Sequence, residues 1–252
     1  MKVKNSTNKV FVGCSGFSEL LWKGFFYPED LTSKDFLKFY SQHLNSVEIN
    51  STFYRKPTLK TLESWYSQTG ENFRFFIKIP KTVTHLKKLN STEKDTEEFC
   101  RHITEGLKEK LAGFLFQLPP SFIYSEENLQ KVLVTVDRNF LNVVEFRHKS
   151  WWNDRVFRIL DENSIIFSGV SIPKAISDEV VINSEKHLYY RLHGVPEMFK
   201  SQYSEEFLIK LSSKIKRFDG TSFVYFNNTF GTAGIKNALS LNKILSKKVQ
   251  NV

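Results

Sequence analysis

Short hydrophobic segments alternate with amphipathic segments along nearly the whole chain, and this alternation constrains the fold more than any single motif does. The segments with a strand pattern are residues 10–15, 46–50, 73–79, 113–118, 142–147, 164–168, 187–193 and 222–228. Between them apolar residues recur at helical spacing, as Phe99, Ile103 and Leu107 do. Strands that alternate with helices pair in parallel through right-handed crossovers, and eight of them close a barrel. We therefore predict an α/β fold, a single (β/α)8 TIM-barrel domain over residues 1–252, with a doubly wound open sheet as the alternative.

The connections between the strands differ in how clearly they predict helices. Most begin with a serine or threonine that can accept a hydrogen bond from the first helical turn, as at Thr58, Ser125 and Ser204. Residues 169–186 show only a weak helical pattern, which Pro173 interrupts. We therefore predict an irregular crossover after strand six.

The composition is typical of a globular protein. Of the 252 residues, 40% are hydrophobic and 24 are phenylalanine, which excludes intrinsic disorder. No apolar run approaches the roughly 20 residues that a membrane helix needs, so no membrane partner is predicted. Residues 1–9 are polar and lack the apolar core of a signal peptide, and two cysteines make no disulfide framework. We expect a cytoplasmic protein, and no pattern indicates its oligomeric state.

Polar side chains stand late in six of the predicted strands. Residues two apart on a strand share a face, as Glu48 and Asn50 do. In a TIM barrel the inward positions at the carboxyl ends of the strands line the active site. The polar residues at these positions are Glu48, Asn50, Lys78, Gln117, Glu145, Arg147, Arg191, His193 and Asn227. We predict that they converge on one site, although any single member could instead form a structural hydrogen bond or ion pair.

The charges of these residues predict acid/base chemistry on an anion. Arg147 and Arg191 can each hold a carboxylate or phosphate through a bidentate fork, and Lys78 adds a further positive charge. Glu48, Glu145 and His193 are the candidate catalytic residues because carboxylates and imidazoles transfer protons when their pKa values are tuned. The sequence does not indicate whether the two carboxylates approach closely enough to act on one bond.

Further substrate-binding candidates lie in the loops around the predicted mouth. Tyr54, Trp151 and Asn228 follow strand ends. The loop of residues 228–234 leads into the last helix, whose N-terminal amides would favour a phosphate. An ordinary glycine-containing turn explains that loop equally well.

Motifs for other chemistries are absent or incomplete. The chain contains neither a Walker loop nor a dinucleotide-binding glycine fingerprint, and the sequence leaves the cofactor unknown. Ser15 lies in a segment that lacks the last glycine of a nucleophile elbow. The histidines and glutamates show no diagnostic ligand spacing, and no metal site is predicted.

Several ordered motifs resemble the YecE-like family of uncharacterised proteins. They cover nearly the whole chain and are, in order, GCSGF at 13–17, WKG at 22–24, FYP at 26–28, VEINSTFY at 47–54, FQLPP at 116–120, EFRH at 145–148, SW at 150–151, RLHG at 191–194, YFNN at 225–228 and NA at 237–238. The resemblance implies a TIM-barrel fold, in agreement with the strand count. It implies no reaction, because the family is known chiefly as a domain of unknown function.

Three functions are consistent with these patterns. The first is an enzyme that acts by acid/base chemistry on a small anionic substrate, phosphorylated or carbohydrate-like. The second is a nucleic-acid-binding or endonuclease-like barrel, indicated by the net charge of +9 and by aromatic residues near the predicted mouth. The third is a non-catalytic ligand-binding protein.

Overall fold

Nine parallel-paired strands and seven helices make up the regular structure of the described residues in a computed structural model, which describes residues 9–173 and 180–247. The strands are β1 (Lys9–Cys14), β2 (Ser46–Ile49), β3 (Arg74–Lys78), β4 (Leu111–Leu118), β5 (Asn142–Phe146), β6 (Ile165–Phe167), β7 (Gly169–Ser171), β8 (His187–Leu192) and β9 (Thr221–Phe226). The helices are α1 (Phe36–Ser41), α2 (Leu59–Gln68), α3 (Glu93–Leu107), α4 (Glu126–Thr135), α5 (Asp154–Glu162), α6 (Glu205–Arg217) and α7 (Ala233–Ser246). The predicted alternation of strands and helices is confirmed for these residues.

The strands form two parallel sheets rather than the predicted single closed sheet. One sheet has the order β2-β3-β4-β5-β6 and the other β1-β9-β8-β7. The chain passes from the first sheet to the second at Ser168, whose backbone N–H still donates to the carbonyl of Val144 on β5. Gly169 then lies against Tyr190 of β8, where an added Cβ would be 2.7 Å from the ring. The chain therefore forms two strands of three residues each here, β6 within the predicted sixth strand and β7 within the predicted crossover.

Side-chain contacts join the other edges of the two sheets. Between β1 and β2 no backbone ladder forms in the part of the chain that the structure describes. The Asn45 side chain instead accepts a hydrogen bond from the Val12 N–H (2.8 Å) and donates one to the Val10 carbonyl (2.8 Å). Gly13 approaches β2 so closely that an added Cβ would lie 2.0 Å from the Ser46 carbonyl oxygen. The two strands are therefore neighbours, with a side chain taking the place of backbone pairing.

The predicted capping residues begin their helices. The hydroxyls of Thr58, Ser125 and Ser204 accept hydrogen bonds from backbone amides three residues on, at 3.1–3.2 Å. Asn153 caps α5 in the same way, so this helix begins at Asp154. Each cap satisfies a helix N–H that would otherwise have no partner.

A separate cluster of buried side chains fills the space between the two sheets. Its members come from the middles of six strands in both sheets: Phe76, Leu115, Val143, Ile166, Tyr189, Phe223 and Tyr225. The opposite faces of the strands pack against the helices. Each such buried large side chain stabilises the fold by roughly 1.5–3 kcal/mol. This inner cluster closes the space below the carboxyl ends of the strands.

The predicted crossover of residues 169–186 is described only in part. Its first residues form β7, and residues 174–179 lie outside the described residues. Residues 1–8, predicted to be a polar N-terminus, also lie outside them. Among the helices of the described ranges, none is both long and apolar enough to cross a membrane.

Candidate functional site

Strand register brings the predicted polar residues onto the face of the inner cluster. Glu48 pairs with Phe76, and Arg191 pairs with Tyr225. Glu145 follows a member of the inner cluster by two residues on β5. Paired residues of parallel strands point to the same side of the sheet, so these charged groups point inward. They lie toward the carboxyl ends of the strands.

Three of the inward groups form a buried ion triad of Glu48, Arg191 and Glu145. Arg191 donates from Nη2 to Glu48 Oε1 and from Nη1 to Glu145 Oε2, both at 2.6 Å. Both carboxylates are fully buried and Arg191 is 1% exposed. Unpaired charges in such a place would be very costly, so each member requires the others. Arg191 was predicted to bind a substrate anion, but these two carboxylates already neutralise it.

Glu48 has two further partners besides Arg191. The hydroxyl of Ser15 donates to Glu48 Oε1 at 2.6 Å, and that of Tyr189 donates to Oε2 at 2.5 Å. Both oxygens are engaged by protein donors and the side chain has no exposed surface. This geometry favours a role in holding Arg191 and β1 in place over the direct proton transfer predicted for Glu48.

A second polar layer lies on the triad, built from Arg147, His193, Asn227 and Asn50. Arg147 donates from Nε to Glu145, and its Nη2 lies 3.3 Å from His193 Nε2. Asn227 Nδ2 lies 2.8 Å from His193 Nδ1, and Asn50 Nδ2 lies 3.3 Å from Asn227 Oδ1. Arg147 keeps 14% of its side chain exposed, whereas His193 is fully buried. Arg147 is therefore the guanidinium that a ligand can reach.

Burial and neighbouring charges determine the protonation states of His193 and Glu145. Burial lowers the pKa of His193 to about 3, and the positive charge of Arg147 acts in the same direction. His193 is therefore neutral near pH 7. Burial alone would raise the pKa of Glu145, but Arg147 and Arg191 outweigh it and hold that pKa well below its usual value. Glu145 stays ionised, which suits an ion-pair partner better than a proton donor.

Lys78 forms a corner of the site with Gln117, Phe53 and His85. Its Nζ donates to Gln117 Oε1 at 3.0 Å and lies 4.2 Å from the centre of the Phe53 ring. Gln117 Nε2 lies 3.5 Å from His85 Nε2. Burial, followed by the charge of Arg191, lowers the pKa of Lys78 to about 7. The amine is therefore close to half protonated at neutral pH.

The family model described as "Protein of unknown function DUF72" matches residues 11–252 of the chain. The chain belongs to this family. A DUF72 family protein from Thermotoga maritima, solved as a crystal structure, has 31% sequence identity and a TM-score of 0.86, covering 95% of this chain and 100% of that one. A second, from Enterococcus faecalis, has a TM-score of 0.78 at 22% identity over 95% of this chain and 96% of that one, which shows the fold alone.

Two curated relatives support the predicted YecE-like resemblance. The UPF0759 protein YunF of Bacillus subtilis is 28% identical over 151 residues, which are 57% of this chain and 52% of that protein. The UPF0759 protein YecE of Escherichia coli is 31% identical over 117 residues, 46% of this chain and 43% of that protein. The chain thus spans about half the length of the curated relatives it matches. None of these names specifies a reaction or a substrate.

Three predicted binding residues of this DUF72 chain lie outside the polar layers. Trp151 is fully buried, stacks on Phe146 at 4.0 Å between ring centres and donates from Nε1 to the Phe122 carbonyl at 2.7 Å. These contacts favour a packing role over the predicted substrate contact. Tyr54 is 74% exposed, so a ligand at the outer edge of the loops could reach it. The side chains of these two aromatics thus face different environments.

Asn228 and the loop after it have structural partners. The Asn228 side chain is fully buried and donates to the Ser201 carbonyl at 2.8 Å. The Gly234 amide in the first turn of α7 donates to the Asn228 carbonyl at 2.9 Å. That amide is not available to a phosphate, which favours the ordinary turn over the predicted phosphate loop.

Sequence reasoning missed the site neighbours Tyr189 and Phe53, and it did not place Ser15 beside Glu48 or His85 beside Gln117. Tyr189 stands two residues before Arg191 and could have been placed on the same face by strand alternation. Phe53 and His85 lie in short helical turns after β2 and β3, where no periodic pattern shows their direction. Within the described ranges no group of three or more histidines, cysteines, aspartates or glutamates is arranged to hold a metal ion.

Proposed function

We propose that this chain is an enzyme that acts by acid/base chemistry on a small anionic substrate at the carboxyl ends of its strands. We also propose that the two sheets together form one (β/α)8 TIM barrel within a single domain over residues 1–252. The continuous chain through Ser168 and the Asn45 contacts between β1 and β2 support this closure. Ligand sites in TIM barrels lie at this end of the strands.

The observation that carries the proposal is a layer of polar groups that lies on a buried layer whose charges are neutralised. Arg191 and Arg147 offset the two glutamates, so Lys78 supplies a positive charge that no carboxylate in the site balances. Lys78 is 9% exposed and Gln117 is 8% exposed, and Asn50 and Asn227 are partly buried beside them. A small anion would meet the charge of Lys78 in its protonated form and the free amide hydrogens of Asn50 and Asn227 there.

The geometry supports specific roles for these residues. Arg147 binds the anionic group of the substrate through the guanidinium donors that Glu145 leaves free. Lys78 transfers the proton, because its pKa of about 7 lets it act as an acid or a base near neutral pH. Glu145 and His193 position Arg147, and Glu48 holds Arg191. Asn50 and Asn227 each have a second amide hydrogen for the substrate, and Gln117 positions Lys78.

Ligand-induced stabilisation of the Arg147→Met variant tests this assignment. Phosphate, sulfate and small dicarboxylates should raise the melting temperature of the wild-type chain because they bind only the folded state. Arg147→Met should lose that rise. Arg55→Met is the matched control, since Arg55 is exposed in the loop after β2 and has no described contact with the polar layers. An undiminished rise in Arg147→Met would overturn the proposed anion site.

A specific observation favours nucleic-acid binding as a second candidate. Three exposed aromatic rings in the loops after β1, β2 and β9 each carry a nearby lysine, with the Nζ 4.7–5.9 Å from the ring centre. The pairs are Phe25 with Lys236, Tyr54 with Lys81, and Phe230 with Lys200. Single-stranded nucleic acids bind through stacking on such rings and contacts between lysines and phosphates.

Fluorescence anisotropy of a labelled single-stranded oligonucleotide separates this candidate from the first. Two results together would support it: binding that weakens steeply as the salt concentration rises, and weaker binding by the double variant Phe25→Ala, Phe230→Ala. Absence of binding at low salt would exclude it. Anion-dependent stabilisation without turnover of any compound would indicate the non-catalytic ligand-binding protein instead.

A further inference from the structure

We propose that Lys78 is a nucleophile, whose amine forms an imine with the carbonyl carbon of a small substrate that also carries a carboxylate or phosphate. The inference rests on the proposed function, because Arg147 would hold the anionic group of the same substrate. It goes further by naming the reacting functional group and the atom that attacks it.

The hydrogen bonds of Lys78 leave its amine available to react. Its described contacts are one hydrogen bond to a neutral amide oxygen, Gln117 Oε1, and the face of the Phe53 ring. Lys110 provides the contrast within the same chain. Its Nζ is 2.6 Å from the carbonyls of Tyr66 and Thr69, and a third oxygen lies at 3.3 Å. Lys110 thus has three oxygen partners, whereas Lys78 has one.

The carboxylates of the site do not hold Lys78 as an ammonium ion. Arg191 bridges Glu48 and Glu145, and Arg147 takes the remaining oxygen of Glu145. The described residues give Lys78 no ion pair, and it lies near the positive charges of Arg191 and Arg147. Glu145 and Glu48 favour the ammonium, but desolvation and the charges of Arg191 and Arg147 outweigh them and favour the neutral amine, which is the form that attacks carbonyl carbon. The lowered pKa of Lys78 agrees with this.

The step requires no oxidant, reductant or metal ion. The nitrogen lone pair attacks the carbonyl carbon, a C–N bond forms, and the C–O π electrons move to the oxygen, which takes up a proton. The nitrogen releases a proton, and the resulting carbinolamine loses its oxygen as water to leave a C=N bond. His85 lies beside Gln117 and is neutral near pH 7, since burial and Lys78 lower its pKa to about 4. The proton that the nitrogen releases is the one that the carbonyl oxygen takes up, so the step balances without a further acid or base.

Reductive trapping at neutral pH tests the inference directly. The wild-type chain is incubated with pyruvate and sodium cyanoborohydride, and the modified lysines are located by mass spectrometry of peptides. We expect Lys78 to be alkylated at least tenfold faster than Lys56, an exposed lysine in the loop after β2. Lys110 should stay unmodified. Lys78→Arg should remove the fast adduct, and since the wild-type digest itself gives the result, a folding defect in that variant would not affect it.

A neutral carbonyl compound separates this inference from the proposed anion site. Acetone should label Lys78 equally in the wild-type chain and in Arg147→Met, whereas pyruvate labelling should slow at least fivefold in the variant. Fast labelling with both probes but no effect of Arg147→Met would support the imine and overturn the anion site. Labelling of Lys78 no faster than of Lys56 with either probe would overturn the imine and leave the anion site to its own test.

Discussion

At the residue scale, the buried charges depend on Arg191 more than on either glutamate. Each glutamate has other donors, Ser15 and Tyr189 for Glu48 and Arg147 for Glu145, whereas Arg191 alone contacts both. The Nε of Arg191 has no protein partner among the described residues. Its stabilising contribution therefore comes from the two terminal nitrogens and the carboxylates they reach.

Replacement of Arg191 should destabilise the fold strongly. Arg191→Met leaves two buried carboxylates that compete for the remaining donors, and breaking a buried ion pair in this way typically costs about 3–5 kcal/mol. Arg147→Met should cost about 1.5–3 kcal/mol, the usual range for a hydrogen bond to a charged group. Urea denaturation of both variants would measure the difference in the free energy of unfolding. Equal losses would contradict the prediction that Arg191 stabilises the fold more than Arg147 does.

Lys78 should titrate near neutrality and make stability depend on pH. Its pKa is lowered from 10.5 to about 7 in the folded chain. Between these values the unfolded chain binds more protons, so the free energy of unfolding should rise as pH rises from about 7 toward 10.5. Below about 7 the burial cost of the ammonium is fully present. Lys78→Met should flatten this rise, and NMR of methylated lysines would give the pKa itself. A pKa near 10 would contradict the prediction.

The location of the site residues was more predictable from sequence than their roles. Strand alternation placed Glu48, Glu145 and Arg191 on one face, and they do meet. The sequence could not show that Arg191 bridges the two carboxylates, because that depends on which strands face each other across the inner space. The sequence could not show that Trp151 packs on Phe146, since an aromatic after a strand end can pack inward or line a loop equally well.

At the element scale, hydrogen bonds between near neighbours in sequence determine where helices begin, whereas contacts between distant residues determine where β6 ends and β7 begins. Thr58 and Ser125 begin helices because their hydroxyls bond to amides only three residues away, which sequence shows directly. The split at Ser168 was not predictable. It depends on Gly169 meeting Tyr190, a residue brought close only by the pairing of β7 with β8.

A glycine-to-alanine pair tests the contact of β1 with β2. Gly13→Ala would place a methyl group 2.0 Å from the Ser46 carbonyl oxygen, so backbone must move. Overpacking of this kind costs about 1–3 kcal/mol or more. Gly70→Ala is the control, because no atom lies within 4 Å of the position that its Cβ would take, and it should be neutral or stabilising by about 0.4–1 kcal/mol. Thermal unfolding of both variants would show the contrast, and a Gly13→Ala variant as stable as the wild type would show that the strands are not in contact.

At the scale of the whole molecule, the two sheets are joined by very different means on their two sides. On one side the backbone itself continues through Ser168. On the other, Asn45 supplies two hydrogen bonds in place of a ladder. The second side should therefore open more readily, since side-chain contacts rather than a continuous backbone join it.

Hydrogen exchange of the Val12 amide would measure this opening. The amide donates to Asn45 Oδ1, so Asn45→Ala should lower its free energy of exchange by about 1–3 kcal/mol, the cost of leaving a buried donor unpaired. Amides of β4, inside the five-stranded sheet, should change less. Asn72→Ala, at an exposed position before β3, is the control. Equal loss of protection in β1 and β4 would instead indicate that the molecule opens only as a whole.

The ion triad draws one member from the four-stranded sheet and two from the five-stranded sheet. A fragment that contained only β2–β6 would carry Glu48 and Glu145 without Arg191, and the complementary fragment would carry the arginine without a counterion. In either fragment, burial of the inner face would leave charges without counterions, which is very costly in free energy. Each sheet thus needs the other to neutralise its buried charges, and the ion triad that stabilises the whole molecule also prevents either sheet from folding as an independent protein.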